Sequence, residues 1–298
     1  MAATVRGWRA FRVYCEMIKI EHSIFALPFA MMGMMWASAV THRSAWPGLE
    51  TFLLILVAMV ACRSAAMAYN RIVDREIDAL NPRTMMRALP AGILAHRHAT
   101  LFFIISCTLF FGAAALLNPL ALALSPVALF VTLFYSHTKR YTPLCHFVLG
   151  MSLGIAPAAA WIAVSGTLHP AILPITFAVI FWTAGFDIIY SLQDDVFDKE
   201  NHLRSLPETV GRPRALLISR LCHVAAIGFL ITGGVLVGAG LWFFIGVAVA
   251  AGLLAYEQSL VSAEDLSRVN MAFFTLNGFV SIGLFAFAIA DTLLDRVA

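Results

Sequence analysis

Apolar residues run through this chain in stretches of about 20, separated by short polar connections, with neither the period of two of a half-buried strand nor the narrow stripe of a soluble amphipathic helix. Nine stretches are long enough to cross a bilayer as helices: 20–40, 50–70, 99–117, 119–136, 144–164, 170–190, 214–236, 238–256 and 270–292. Asn118-Pro119 and Gly238-Ala239-Gly240 separate neighbouring stretches so briefly that both predict tight turns between antiparallel helices. The predicted fold class is an all-α integral membrane bundle of nine transmembrane helices, one membrane-embedded domain over residues 1–298, with longer polar loops at about 71–98 and 191–213.

Composition agrees. Of 298 residues, 61% are hydrophobic and 12% charged, about half the charge of a soluble domain. The first apolar stretch is too long for a signal-peptide core and no small-residue cleavage pattern follows it, so an uncleaved span is expected. Of the 20 lysines and arginines, only Arg43 and Arg296 fall on one face and only Arg63 inside a span. The others gather in alternate connections, which places the N-terminus, both long loops and any active site on the cytoplasmic side. The five cysteines are scattered singly and suggest neither zinc nor thiol redox chemistry. Four methionines in the first stretch, Met31, Met32, Met34 and Met35, read as packing or lipid-facing residues. No nucleic-acid partner is expected; the lipid bilayer is.

The chemistry sits at the cytoplasmic ends of two spans. Asn70, Asp74 and Asp78 are spaced by four, so on a continuous helix they share one face. Asp194 and Asp198 repeat the spacing, and a constant offset of 120 residues relates Asn70, Asp74 and Asp78 to Tyr190, Asp194 and Asp198. Repelling carboxylates and an amide, all oxygen donors, suit a hard divalent cation such as Mg²⁺; salt bridges of a solvated helix end with Arg71 and Arg75 are the plainer alternative. Arg83, Arg87, Lys139, Arg140, Lys199 and Arg204 surround the acids, and as a set they suit a diphosphate. Arg63 lies deeper, seven residues before Asn70. It either receives an acidic group of a second substrate or forms a structural ion pair with Asp187. Asp291 and Asp295 share the four-residue spacing at the opposite end of the last span and read as a solvated terminus.

The stretches NRIVDREIDALNPRTMMRALPAG (70–92) and DIIYSLQDDVFDKENHLRSLPETVG (187–211) resemble the two aspartate motifs of the UbiA superfamily of intramembrane aromatic prenyltransferases. The resemblance covers nearly the whole chain. It implies Mg²⁺ and diphosphate roles for Asn70, Asp74, Asp78, Asp194 and Asp198, and diphosphate contacts from Arg87, Lys139 and Lys19. It implies an acceptor-facing role for Arg63, and it places Asp187 and Tyr135 on the cavity wall. Arg83 and Tyr190 join the substrate-binding set, and Asp187 is a candidate base. Ala88 stands where the family commonly has proline, and Glu21-His22-Ser23 differs from the ubiquinone branch. The implied reaction moves a polyprenyl chain from its diphosphate to an aromatic acid, with 4-hydroxybenzoate leading on the strength of HSIFALPFA and GFDIIYSLQD. A futalosine-route menaquinone precursor and a homogentisate-like, haem or chlorophyll acceptor are alternatives. The expected location is the bacterial inner (plasma) membrane. A cation- or proton-coupled transporter is the alternative of another class; it would need polar groups at midplane and access to both faces. A CDP-alcohol phosphotransferase would need a DG-x2-AR segment, which is absent.

Overall fold

The computed structural model describes residues 8–19 and 23–294. Arg6, Glu21, His22, Asp295 and Arg296 lie outside them. Within the described residues there is no strand. Two helices precede the first aspartate motif's span: α1 (Trp8–Ile18) and α2 (Ser23–His42). That span is α3 (Leu49–Val73), followed by the short α4 (Arg75–Leu80). Next come α5 (His96–Leu117), α6 (Pro119–Thr138), α7 (Cys145–Ser165) and α8 (Leu173–Ser191). Short α9 (Asp195–Glu200) and α10 (Leu206–Val210) follow the second motif. The chain ends in α11 (Arg212–Val237), α12 (Leu241–Ser259) and α13 (Asn277–Leu294). Among the described residues, eight helices are long and apolar enough to cross a membrane, and α2 adds a further apolar helix of 20 residues.

The helix ends follow from local sequence. Asn118 caps α6, its side chain accepting from the Ala121 amide at 2.9 Å, with Pro119 in the first turn where a missing N–H costs nothing. The turn at 238–240 begins on Gly238 with φ 68°. Asp291 is not solvated as its terminal position suggested. It is 6% exposed, and its oxygens accept from the amides of Gly240 at 2.8 Å and Phe243 at 3.1 Å, so it caps α12 from another helix.

Helix α7 lies between α2 and α8 and packs closely on both. A Cβ on Gly33 would stand 2.3 Å from the Pro157 carbonyl oxygen, and one on Gly150 2.4 Å from that of Ile180. Small residues let these backbones touch, the usual way helices associate where lipid competes for apolar surface. Burial is uneven: 61% of the span through α8 is buried but only 17% of α6. Helix α8 is therefore a central post and α6 a peripheral wall. Met31, Met32 and Met34 are buried packing residues. In the α12–α13 half, the fully buried Glu257 accepts from Asn277 at 3.1 Å, and Asn277 accepts from the Trp182 indole at 2.7 Å. Asn277 also donates to the carbonyls of Ala272 and Phe273, holding the π-helical turn Met271–Leu276 that places Phe273 and Phe274 on the cavity wall.

Candidate active site

The two motifs share one local geometry, and it is not a continuous helix. Helix α3 stops at Val73, Asp74 takes φ −92°, ψ 7°, and α4 restarts at Arg75. Helix α8 stops at Ser191, Asp194 takes φ −109°, ψ 2°, and α9 restarts at Asp195. In both, the amide four residues on returns to the pivot carbonyl at 2.7 Å, Asp78 to Asp74 and Asp198 to Asp194. The expected shared helix face is thus a pair of matching kinks, and the offset of 120 is a structural repeat.

Each motif aspartate meets one base. Arg140 donates to Asp74 Oδ1 at 2.9 Å, and Arg87 grips both oxygens of Asp78 at 2.7 and 2.8 Å. Arg83 Nε donates to Asp194 Oδ1 at 3.1 Å while another arm reaches the Tyr190 hydroxyl at 2.8 Å. Lys139 Nζ lies 2.7 Å from Asp198 Oδ1. These bases stitch the motifs together. Arg83 leaves the first motif's loop to reach the second, and the adjacent Lys139 and Arg140, on the turn after α6, reach one motif each. Asn81, also on the first loop, donates to Asp194 at 3.3 Å. Asn70 donates to Asp74 at 2.7 Å and accepts from Arg71 at 3.1 Å. Burial pushes Asp74 up to about 6 despite Arg140, and burial raises Asp198 despite Lys139.

These groups form the mouth of one cavity of about 1230 Å³ that runs inward between α3, α6, α7 and α8. Of the residues proposed from sequence, Lys19, Arg63, Asn70, Asp74, Asp78, Arg83, Arg87, Tyr135, Lys139, Asp187, Tyr190 and Asp194 all line it. Asp198 does not. It is fully buried under Lys139 and Ser205, whose hydroxyl donates to it at 2.9 Å. Deeper in, the wall is apolar: Leu27, Ala128, Leu153, Ala160, Leu168 and Phe186. Arg63 donates to the Lys19 carbonyl at 3.1 Å, which ties α3 to the turn after α1. The ion pair weighed between Arg63 and Asp187 is not among those formed by the described residues; Asp187 Oδ2 meets His146 Nδ1 at 2.7 Å. Sequence reasoning missed His146, the role of Arg140 toward the first motif, and Asn81. An acid inside a span demands a partner from another helix, and the only ionisable side chains at the start of α7 are Cys145 and His146.

No three carboxylate, histidine or cysteine groups converge on one point among the described residues. The donor set still fits Mg²⁺, which keeps few protein ligands and completes its shell with water and phosphate oxygens.

Known proteins agree with this architecture. The sequence profile of the UbiA prenyltransferase family matches residues 26–281. A 4-hydroxybenzoate octaprenyltransferase of Alkalilimnicola ehrlichii is 28% identical over 284 residues, 94% of each chain. One of Nitrosomonas europaea is 29% identical over 282 residues, again 94% of each. The solved structure of a UbiA homolog from Aeropyrum pernix K1 superposes with a TM-score of 0.82 at 37% identity, covering 92% of this chain and 98% of that one. A UbiA homolog from Archaeoglobus fulgidus, bound to GPP and Mg²⁺, shares the fold with a TM-score of 0.70 at 22% identity over 95% of this chain and all of that one. This chain belongs to the UbiA prenyltransferase family.

Proposed function

We propose that the protein transfers a polyprenyl chain from an allylic diphosphate to an aromatic acid, with 4-hydroxybenzoate the leading acceptor, in quinone biosynthesis. The observation that carries this reading is the cavity itself: a mouth of acids and bases in matching kinks, and an apolar interior suited to an isoprenoid tail. The named activity of the relatives supports it. The transporter reading has no comparable support, because its polar groups would have to continue past the apolar interior.

Bound Mg²⁺ would neutralise the diphosphate and make it a better leaving group, held by Asn70, Asp74, Asp78, Asp194 and Asp198. Arg83, Arg87, Lys139, Lys19 and Tyr190 bind the diphosphate oxygens and stabilise the charge that grows on them as the allylic C–O bond breaks. Asp198 reaches a ligand only when Lys139 turns from it toward a phosphate. Phe186, Phe273 and Phe274 shield the delocalised cation from water. Arg63 pairs with the acceptor's carboxylate. A ring carbon ortho to the phenol attacks, and Asp187 orients the phenol or takes the ring proton, with Tyr135 beside it on the wall.

We infer nine spans, α2 included, in a bacterial inner membrane with the N-terminus and cavity mouth on the cytoplasmic side. A cysteine at Met86, which is 73% exposed, then labels only from the cytoplasmic side and one at Ser44 only from outside. The activity is tested by incubating expressing membranes with a panel of prenyl diphosphates and aromatic acids and identifying products by mass. A prenylated 4-hydroxybenzoate is expected. A product formed only from a bicyclic or homogentisate-type acceptor would reassign the acceptor, and no Mg²⁺-dependent product from any of them would sink the reading.

A further inference from the structure

His146 stands at the second position of α7, 1% exposed, with both ring nitrogens engaged. On one side Nδ1 lies 2.7 Å from Asp187 Oδ2. On the other, the Leu206 backbone amide donates to Nε2 at 3.3 Å. A backbone N–H can only donate, so this contact calls for a bare Nε2. A proton on Nδ1 would then be given to Asp187. An imidazolium would point an N–H at an N–H. Leu206 is not an arbitrary donor. It opens α10, next to Ser205, whose hydroxyl bonds Asp198, and the preceding Arg204 amide donates to the Lys139 carbonyl at 2.7 Å. The imidazole thus links the second aspartate motif to an acid deeper in the same cavity.

We propose that His146 is a positioning residue: a neutral imidazole, fixed in its Nδ1–H form by the Leu206 amide, that holds Oδ2 of Asp187 and leaves Oδ1 to the acceptor. It sets the distance between the acceptor-facing acid and the motif that binds the diphosphate, through the chain Asp198–Ser205–Leu206–His146–Asp187. The proposal rests on the reading of Asp187 as the group that meets the acceptor. It assigns His146 no contact with substrate.

Two substitutions separate its two bonds. Asparagine carries an amide N–H near the place of Nδ1 and keeps the bond to Asp187. Glutamine carries its amide near the place of Nε2, keeps the Leu206 contact and withdraws from Asp187. In purified, Mg²⁺-loaded enzyme, His146→Gln and His146→Ala should lower kcat about 10- to 100-fold, the worth of one charge-assisted hydrogen bond. The KM for prenyl diphosphate should stay within about twofold, and His146→Asn should restore most of kcat. A merely structural histidine would instead give kcat values that follow the thermal midpoints of the three variants, with no preference for Asn over Gln. The tautomer is read without turnover. In protein labelled with ¹⁵N in its histidine rings, the signals lost in His146→Asn should show a protonated Nδ1 and a bare Nε2. An imidazolium, an Nε2–H tautomer, or full kcat in His146→Gln would overturn the proposal. Should the wild type prenylate no aromatic acid, the functional reading fails, while the nitrogen signals still decide whether the imidazole is held as inferred.

Discussion

The first and second aspartate motifs have the same pivot, the same returning amide and the same register, yet one faces the cavity and the other half-hides. Asp74 and Asp78 both line the cavity, whereas only Asp194 of the second pair does. The side chain of Asp74 is 23% exposed and that of Asp198 not at all. The difference comes from what covers each motif. After α4 the chain leaves through the 81–95 loop and lends its own arginines to the acids. After α9 it folds back at once: the Leu203 amide returns to the Asp198 carbonyl and the Ser205 hydroxyl bonds its carboxylate. Repetition of a motif thus fixes where the oxygens stand, while the following loop decides which of them a substrate meets first. We read the first motif as the open jaw and the second as the anchored one.

The sharpest test removes one acid from each. Asp74→Ala and Asp198→Ala should both reduce turnover by at least about 100-fold, as loss of a group that stabilises the departing charge does. They should part in stability. Asp198→Ala takes the partner from Lys139 and leaves a void in a fully buried site, and should cost on the order of 2 kcal/mol after allowing for the lysine's partial exposure. Asp74→Ala should cost clearly less. Thermal midpoints in detergent, read beside single-turnover rates, check this; equal midpoints would erase the distinction between open and anchored motifs.

Arg63 asks whether the deeper cavity is a separate station. Arg63→Ala should raise the acceptor KM about 10- to 100-fold and leave the prenyl diphosphate KM within about twofold, with lysine restoring only part because it lacks the two-pronged geometry. A selective effect on the diphosphate substrate would move Arg63 into the mouth and merge the two stations.

A finer question is whether neighbouring bases really serve different motifs. Double-mutant cycles on stability should give coupling of roughly 0.5 kcal/mol or more for Arg140 with Asp74 and for Lys139 with Asp198. Crossed pairs, Arg140 with Asp198 and Lys139 with Asp74, should couple less. Equal coupling in all four would mean that the cations form one undivided pool.

The smallest effect is expected at Asp195, next to the second pivot but bound by Arg212 at 2.6 and 2.9 Å. Asp195→Asn should lose no more than about 1 kcal/mol and leave turnover within about threefold. A large loss of turnover would enlarge the second motif by one carboxylate.

Much of this was legible in residues. Eight of the nine apolar stretches predicted, to within a few positions, the segments long and apolar enough to cross a membrane, and the first overlaps α2, because in a membrane length and hydropathy carry most of the signal. The offset of 120 foretold that the two motifs would match, but not that each would kink: neither Pro nor Gly marks Asp74 or Asp194, and the groups that meet the pivots come from elsewhere in the chain, Arg140 to Val73 and Asp74, Asn81 and Arg83 to Asp194. Helix α1 was not among the elements read from sequence, because its 11 residues fall short of a span. His146 was invisible for a different reason. A single histidine beside a cysteine has no period and no spacing partner, and its meaning depends on Asp187, 41 residues away. Asp291 misled through its place near the end of the chain, where solvent was assumed and a helix end was waiting.

The wedged position of α7 bears on how such a protein can diverge or be repurposed. With Gly33 and Gly150 leaving no room for even a methyl group, the backbones on the α2–α7–α8 side of the cavity are fixed against one another. Any widening there by parting the helices would have to move whole backbones. The α6 side is free of that bind, lining the same space with Ala121, Leu124, Ser125 and Ala128 on a helix that is mostly lipid-facing. Variation in the tails a chain of this design accepts should therefore be written on α6, and a library aimed at new substrates belongs there.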